Sequence, residues 1–252
     1  MEALAASLGL AAGDFAFAVA AVFVAGVVRG FSGFALSALV MASLSQVLSP
    51  VEILPICLVL EVAASALMAR AGFREANTRL VLTLVTGIVV GIPIGLYIAT
   101  TATPETSRVI ALGIIMTLAL AQLARLSPAF LATTPGTVAS GVMSGAVNGA
   151  SSAGGMVVAL FMLARKLPAA EARASLVVYL VLSQIFGLTF LLIFGVMTED
   201  AFWRGLTLAV PAMAGVLVGT RLFTPRFAAY YRPFCLCLLI GLAAFGLAQA
   251  LT

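Results

Sequence analysis

Between Ser140 and Gly155 the chain reads Ser-Gly-Val-Met-Ser-Gly-Ala-Val-Asn-Gly-Ala-Ser-Ser-Ala-Gly-Gly: five glycines, four serines and an asparagine inside a long apolar segment. A helix in lipid must satisfy its own backbone N–H and C=O groups. Such an interruption is therefore tolerated only where the freed backbone lines a protein cavity or meets a ligand. A shorter counterpart, Gly26-Val-Val-Arg-Gly-Phe-Ser-Gly33, interrupts another overlong apolar run near the N-terminus. Interrupted segments at corresponding places in two halves of a chain are the best sequence pointer to a transporter binding site.

Composition supports the membrane reading. The 252 residues are 63% hydrophobic and 9% charged, with a mean hydropathy of +1.22, whereas soluble domains carry about 25% charged residues. A net charge of +4 then reports membrane topology and not a nucleic-acid partner. The first residues hold Glu2 and Asp14 but no Lys or Arg, so no cleaved leader is expected. The chain has no histidine, which excludes a Cys/His zinc site. Cys57, Cys235 and Cys237 read as small apolar filler, and neither metal nor cofactor is expected.

Polar breaks leave eight apolar segments: 14–48, 51–69, 80–99, 106–126, 135–163, 170–194, 202–222 and 230–251. Six have the ~17–25 residues of one spanning helix. The first and fifth are longer and carry the interruptions. Internal likeness pairs the halves. Gly91-Ile-Pro-Ile-Gly95 matches Gly215-Val-Leu-Val-Gly219, Arg108 matches Arg232, and Pro50-Val-Glu52 resembles Pro168-Ala-Ala-Glu171. Gly30 falls opposite Gly145. The expectation is one all-α membrane domain of two repeats, 1–126 and 135–252, with a linker at 127–134 whose Ser127-Pro128 and Thr134-Pro135 steps favour a break.

Loop charges decide how the repeats are oriented. If every segment crosses once, the arginine clusters fall on both sides and the positive-inside rule fails. If the first and fifth segments are hairpins, ten basic residues share one side. They are Arg70, Arg74, Arg79, Arg125, Arg165, Lys166, Arg173, Arg221, Arg226 and Arg232, while Arg108 and Arg204 take the other. The repeats are then inverted and both termini lie outside the cytoplasm. Each hairpin arm would have about 13–17 residues, short of the hydrocarbon core, with re-entrant tips near Gly30–Gly33 and Asn148–Ser152 meeting in the interior.

At each tip the second arm opens with residues suited to an N-cap, Ser32 in one and Ser151 or Ser152 in the other. A helix start with unpaired N–H groups and a positive dipole end attracts an anion. Gly33, Asn148 and Gly149 complete the two tips. The pairs Gly91/Gly95 and Gly215/Gly219 read as helix-packing glycines; the tip glycines, accompanied by polar donors, read as a ligand site. Arg29 lies deep in an apolar run and needs a partner, either the substrate anion or Glu61. Glu61 is also a candidate proton-coupling carboxylate. Tyr179, Ser183 and Gln184 form a polar stripe at midplane depth; Gln46 is a weaker candidate, and Glu52 and Glu171 read as capping or interfacial residues.

The runs Arg29-Gly-Phe-Ser-Gly-Phe-Ala35 and Gly141–Gly155 resemble the two glycine signatures of the TauE/SafE sulfite-exporter family, with Ala35 where the family commonly has glycine. Length and duplicated organisation fit as well. The resemblance implies a carrier of the cytoplasmic membrane for sulfite, sulfonates or related sulfur oxyanions, more often exporting than importing. Sulfur comes from the resemblance; the residues themselves point to an anion. The expected partners are a small anion, membrane lipid and a coupling proton. The rivals are an anion channel or an importer of another anion, an intramembrane enzyme, and a non-transporting scaffold. Catalysis would want a nucleophile with a base or a metal set, which a chain without histidine and with one well-buried acid lacks.

Overall fold

The computed structural model describes residues 11–126, 130, 133–165, 167–222 and 225–251, with backbone alone at 69–74, 169, 225–232 and 251. The Ser127-Pro128 step, Lys166 and the side chains of Arg70, Arg74, Arg226 and Arg232 fall outside this description. The described residues form helices and no strand. The helices are α1 (Ala12–Ser32), α2 (Leu36–Leu44), α3 (Pro50–Glu75), α4 (Thr78–Thr101) and α5 (Pro104–Leu123). The second half continues with α6 (Thr134–Ser151), α7 (Gly154–Ala164), α8 (Ala169–Ile193), α9 (Glu199–Leu222) and α10 (Pro225–Leu251). Among the described residues, seven helices are long and apolar enough to cross a membrane: α1, α3, α4, α5, α8, α9 and α10.

The two overlong segments do break, but not into equal arms. The first yields helices of 21 and 9 residues, the second helices of 18 and 11. At 1.5 Å per residue the leading arms run roughly 27–32 Å and the trailing arms roughly 14–17 Å. The expectation of about 13–17 residues in each arm is therefore corrected. The reason is that most glycines in these runs stay helical. A methyl on Gly26 would overlap the backbone of Ala212 in α9, and one on Gly30 that of Val216. Gly141, Gly145 and Gly149 meet the α4 backbone at Leu84, Gly91 and Ile92 in the same way. These glycines let helix backbones touch, as small residues do in membrane interfaces.

Named contacts give the helix directions. Gly26 meets Ala212 and Gly30 meets Val216, so α1 and α9 run parallel. Gly87 meets Val138 and Gly95 meets Ala146, so α4 and α6 run parallel. The backbone N–H of Asn77, ahead of α4, donates to Ser175 Oγ near the start of α8 at 2.9 Å. Glu52 at the start of α3 pairs with Arg204 at the start of α9. Between α3 and α8 the contacts run oppositely, Leu58 meeting Gly187 while the Asn77 end meets Ser175. Helices α5 and α10 pack on each other and on the trailing arms.

Buried apolar side chains such as Leu36, Met41, Ile53, Leu60, Ile88 and Phe161 fill the centre. Large apolar side chains including Val90, Tyr97, Ile185, Ile193 and Val210 face outward. That is the surface a lipid-embedded bundle presents, because lipid tails are as apolar as the core. Arg79, Arg125, Arg165, Arg173 and Arg221 lie at the end of the bundle where α4, α6 and α8 begin; Arg108 and Arg204 lie at the end where α5 and α9 begin.

Candidate functional site

The first break is made by two left-handed residues, Gly33 (φ 82°) and Ala35 (φ 74°). Glycine takes this conformation without steric cost, whereas alanine does so at about 1–2 kcal/mol. The second break turns at Ser152 (φ 54°), whose N–H bonds Asn148 O at 2.8 Å. Neither Ser32 nor Ser151 nor Ser152 caps the helix that follows, which corrects the N-cap expectation. Ser32 is the last residue of α1; its hydroxyl lies 2.8 Å from both Val28 O and Phe34 O and accepts the Phe34 N–H. Ser151 ends α6 and donates to Val147 O at 2.9 Å. The N-cap positions are Ala35 for α2 and Ala153 for α7, and neither supplies a side-chain hydrogen bond. Both trailing helices thus start with N–H groups that no side chain caps.

Those two starts face one another across a narrow seam. Ala35, Ser37 and Ala38 from α2 line a cavity of about 10 Å³ with Ala153, Gly155 and Met156 from α7, and Glu61, Asn148, Ser152 and Gln184 complete its walls. A neighbouring cavity of about 20 Å³ shares Ser37, Asn148, Ser152 and Gln184 and extends to Cys57, Gly149 and Gly187. Each space is about that of a single water, so the seam is nearly closed in this conformation. The amides of Asn148 and Gln184 have no side-chain hydrogen bond to protein among the described residues. Polar groups turned toward a cavity in an apolar setting need a partner, which here would come from water or ligand.

Arg29 is fully buried and pairs with Glu61, 3.1 Å away. The guanidinium also donates to Gly33 O, bracing the first break, and to Ser65 Oγ at 3.0 Å. Glu61 accepts from Ser37 Oγ at 2.9 Å with its other oxygen. The chain Arg29–Glu61–Ser37 therefore links the buried cation to the cavity wall. Arg173 at the start of α8 donates to Gly30 O at 2.8 Å, holding the same break from outside.

The second hairpin is locked by a different set. Tyr179 donates to Ser144 Oγ at 2.7 Å, and Ser144 donates to Gly154 O at 2.6 Å, drawing α7 back along α6. Arg165 just past the end of α7 donates to Thr137 Oγ1 near the start of α6 at 3.1 Å. The two ends of the hairpin are thereby brought together. Gln122 from α5 donates to Met156 O at 3.0 Å.

Of the candidate site residues, Asn148, Gly149, Ser152, Gln184 and Glu61 come together at the seam. Arg29, Ser32, Gly33, Ser151 and Tyr179 stand behind it and shape the breaks. Gly149 reaches the seam with its backbone; a methyl there would collide with Ile92 and Leu96. Ser183 bonds Leu180 O within its own helix, Gln46 is half-buried away from both cavities, Glu52 accepts from Ser49, and Glu171 accepts from Asn77. Sequence reasoning missed Ser37 and treated Cys57 as filler. Ser37 stands four residues past Gly33, and Cys57 stands one turn before Glu61 on the same face of α3, where its thiol donates to Ser37 O. Their spacing to those two landmarks was the available signal.

No curated protein sequence and no solved structure gives a significant match to the chain. A family model does, and it covers nearly all of the helices described above. That model is Sulfite exporter TauE/SafE, matched over residues 18–246, and the chain belongs to this family of membrane transporters.

Proposed function

We propose that the protein is a secondary transporter that exports a small sulfur-containing oxyanion, sulfite or an organosulfonate, across the cytoplasmic membrane by alternating access. The observation that carries the reading is the seam itself. Two uncapped helix starts converge on one cavity with Ser37, Ser152 and the unpartnered amides of Asn148 and Gln184. Helix starts and amide donors are an anion-binding set. Sulfur is taken from the family.

Inverted repeats, 1–126 and 135–252, account for the packing. The first helix of each half lies parallel to the α4 or α9 helix of the other half, and the α3–α8 pair is antiparallel. With the ten described helices alternating in direction, α1 and α6 point oppositely. The arginine-rich end is then cytoplasmic, and both termini are on the other side. The near-closure of the seam supports alternating access over a standing pore, because an oxyanion enters only when the halves move apart. Glu61, which lines the cavity and accepts from Ser37, is the proton-coupling candidate.

Proteoliposomes loaded with sulfite or a sulfonate should show saturable efflux. Asn148→Ala and Gln184→Ala should each raise KM about tenfold, the cost of one hydrogen bond to a charged group. Absence of saturable flux with either substrate class would count against the reading.

A further inference from the structure

At the arginine-rich end of the bundle a cleft of about 420 Å³ opens between α4 and α6, far roomier than the seam. Its walls are Asn77, Arg79, Leu80, Thr83, Thr134, Thr137 and Arg165. Two guanidinium groups from different helices therefore share one space with three hydroxyls. Thr137 is buried, and the Nε of Arg165, also buried, has no hydrogen-bond partner among the described residues. Because α4 and α6 run parallel, the positive ends of both helices open here as well. Glu171 accepts from the Asn77 amide, and neither it nor Glu75, two residues ahead of Asn77, is part of the lining.

We propose that this cleft binds an anionic phosphate group, held by Arg79 and Arg165 as a two-armed clamp with the Thr134 hydroxyl as a further donor. The geometry suits a phospholipid headgroup. Leu82 and Val138, within a turn of the lining on the same helices, are exposed as lipid-facing residues are, so acyl chains would continue along the surface from the cleft. Basic pockets between transmembrane helices at the cytoplasmic surface take such headgroups, whereas a free phosphate ion would use only the polar half of the site. Arg165 also closes the α6–α7 hairpin on Thr137. An occupant bridging it to Arg79 ties the hairpin to α4 from the end remote from the seam.

The test uses the full-length protein, delipidated in detergent and titrated with phosphatidylglycerol or phosphatidylcholine under native mass spectrometry. Phosphatidylglycerol should be retained preferentially, and Arg79→Gln and Arg165→Gln should each weaken retention about fivefold. Arg221→Gln, exposed at the same end of the bundle, should leave it unchanged. Inorganic phosphate, added as competitor and titrated alone, separates the sources. Failure to displace the lipid identifies the headgroup, and arginine-dependent binding of phosphate itself identifies a soluble anion; either outcome supports the clamp. Equal retention of the two lipids by the wild-type protein, together with no arginine-dependent phosphate binding, overturns it.

Discussion

A buried arginine is held in place by what surrounds it. Arg29 sits at 0% exposure between Glu61, Ser65 and the carbonyl of Gly33. Removing one partner of a buried ion pair leaves an uncompensated charge, at a cost of about 3–5 kcal/mol, while replacing both by apolar residues is often neutral. Glu61→Gln should therefore lower the thermal unfolding midpoint in detergent markedly, and the double variant Arg29→Met/Glu61→Met should recover most of it. If Glu61 couples protons, the recovered double variant still loses pH-gradient-driven flux. A double variant as unstable as the single one would show that the pair is valued for more than charge balance. The sequence disclosed that Arg29 needed a partner and that Glu61 was available. It did not disclose that the two meet, because a substrate anion satisfies the same electrostatic demand.

Helices meet through their glycines, and here pattern and structure diverge most usefully. A glycine that breaks a helix and one that lets two helices touch are written with the same letter. Gly30 and Gly149 belong to the tips that read as a ligand site, yet both lie against a neighbouring backbone. The breaks come from Gly33, Ala35 and Ser152, two of which are not glycine. What was legible was that each overlong segment breaks, since 35 and 29 residues exceed one crossing; where the break falls depends on partner helices distant in sequence. Contact glycines and spectator glycines should separate on substitution. Gly91→Ala and Gly145→Ala force a methyl into opposing backbone and should destabilise by about 1–3 kcal/mol. Gly113→Ala and Gly241→Ala meet open space and should be neutral or stabilising. Thermal unfolding of the four variants reads out the difference.

Across the whole molecule the proposed inverted halves assign each end of the bundle to a compartment. Pro168 and Asp200 are exposed at opposite ends of the bundle, ahead of α8 and at the start of α9. In a Cys237→Ser background, whose other cysteines are buried, Pro168→Cys should react with an impermeant maleimide from the cytoplasmic side alone and Asp200→Cys from the opposite side alone. Labelling of both from one side would defeat the inverted arrangement. Loop charge anticipated which end of the bundle gathers the described arginines, because it depends only on which connections are basic. The crosswise pairing of α1 with α9 and of α4 with α6 was not legible, since nothing in a glycine spacing names its partner.

That crosswise pairing bears on how the protein is made. The glycine face of α1 emerges from the ribosome roughly 190 residues before the face of α9 that receives it. Until then α1 is inserted but unmatched, and the membrane must hold a half-built protein whose closest-fitting surfaces have no counterpart. The α1–α9 clasp is thus the later of the two to close, after that of α4 with α6. Residues 1–126 expressed alone should be degraded quickly. The same fragment co-expressed with residues 135–252 as a separate chain should persist, and the two should purify together, because the clasp between the halves needs no peptide bond across 127–134.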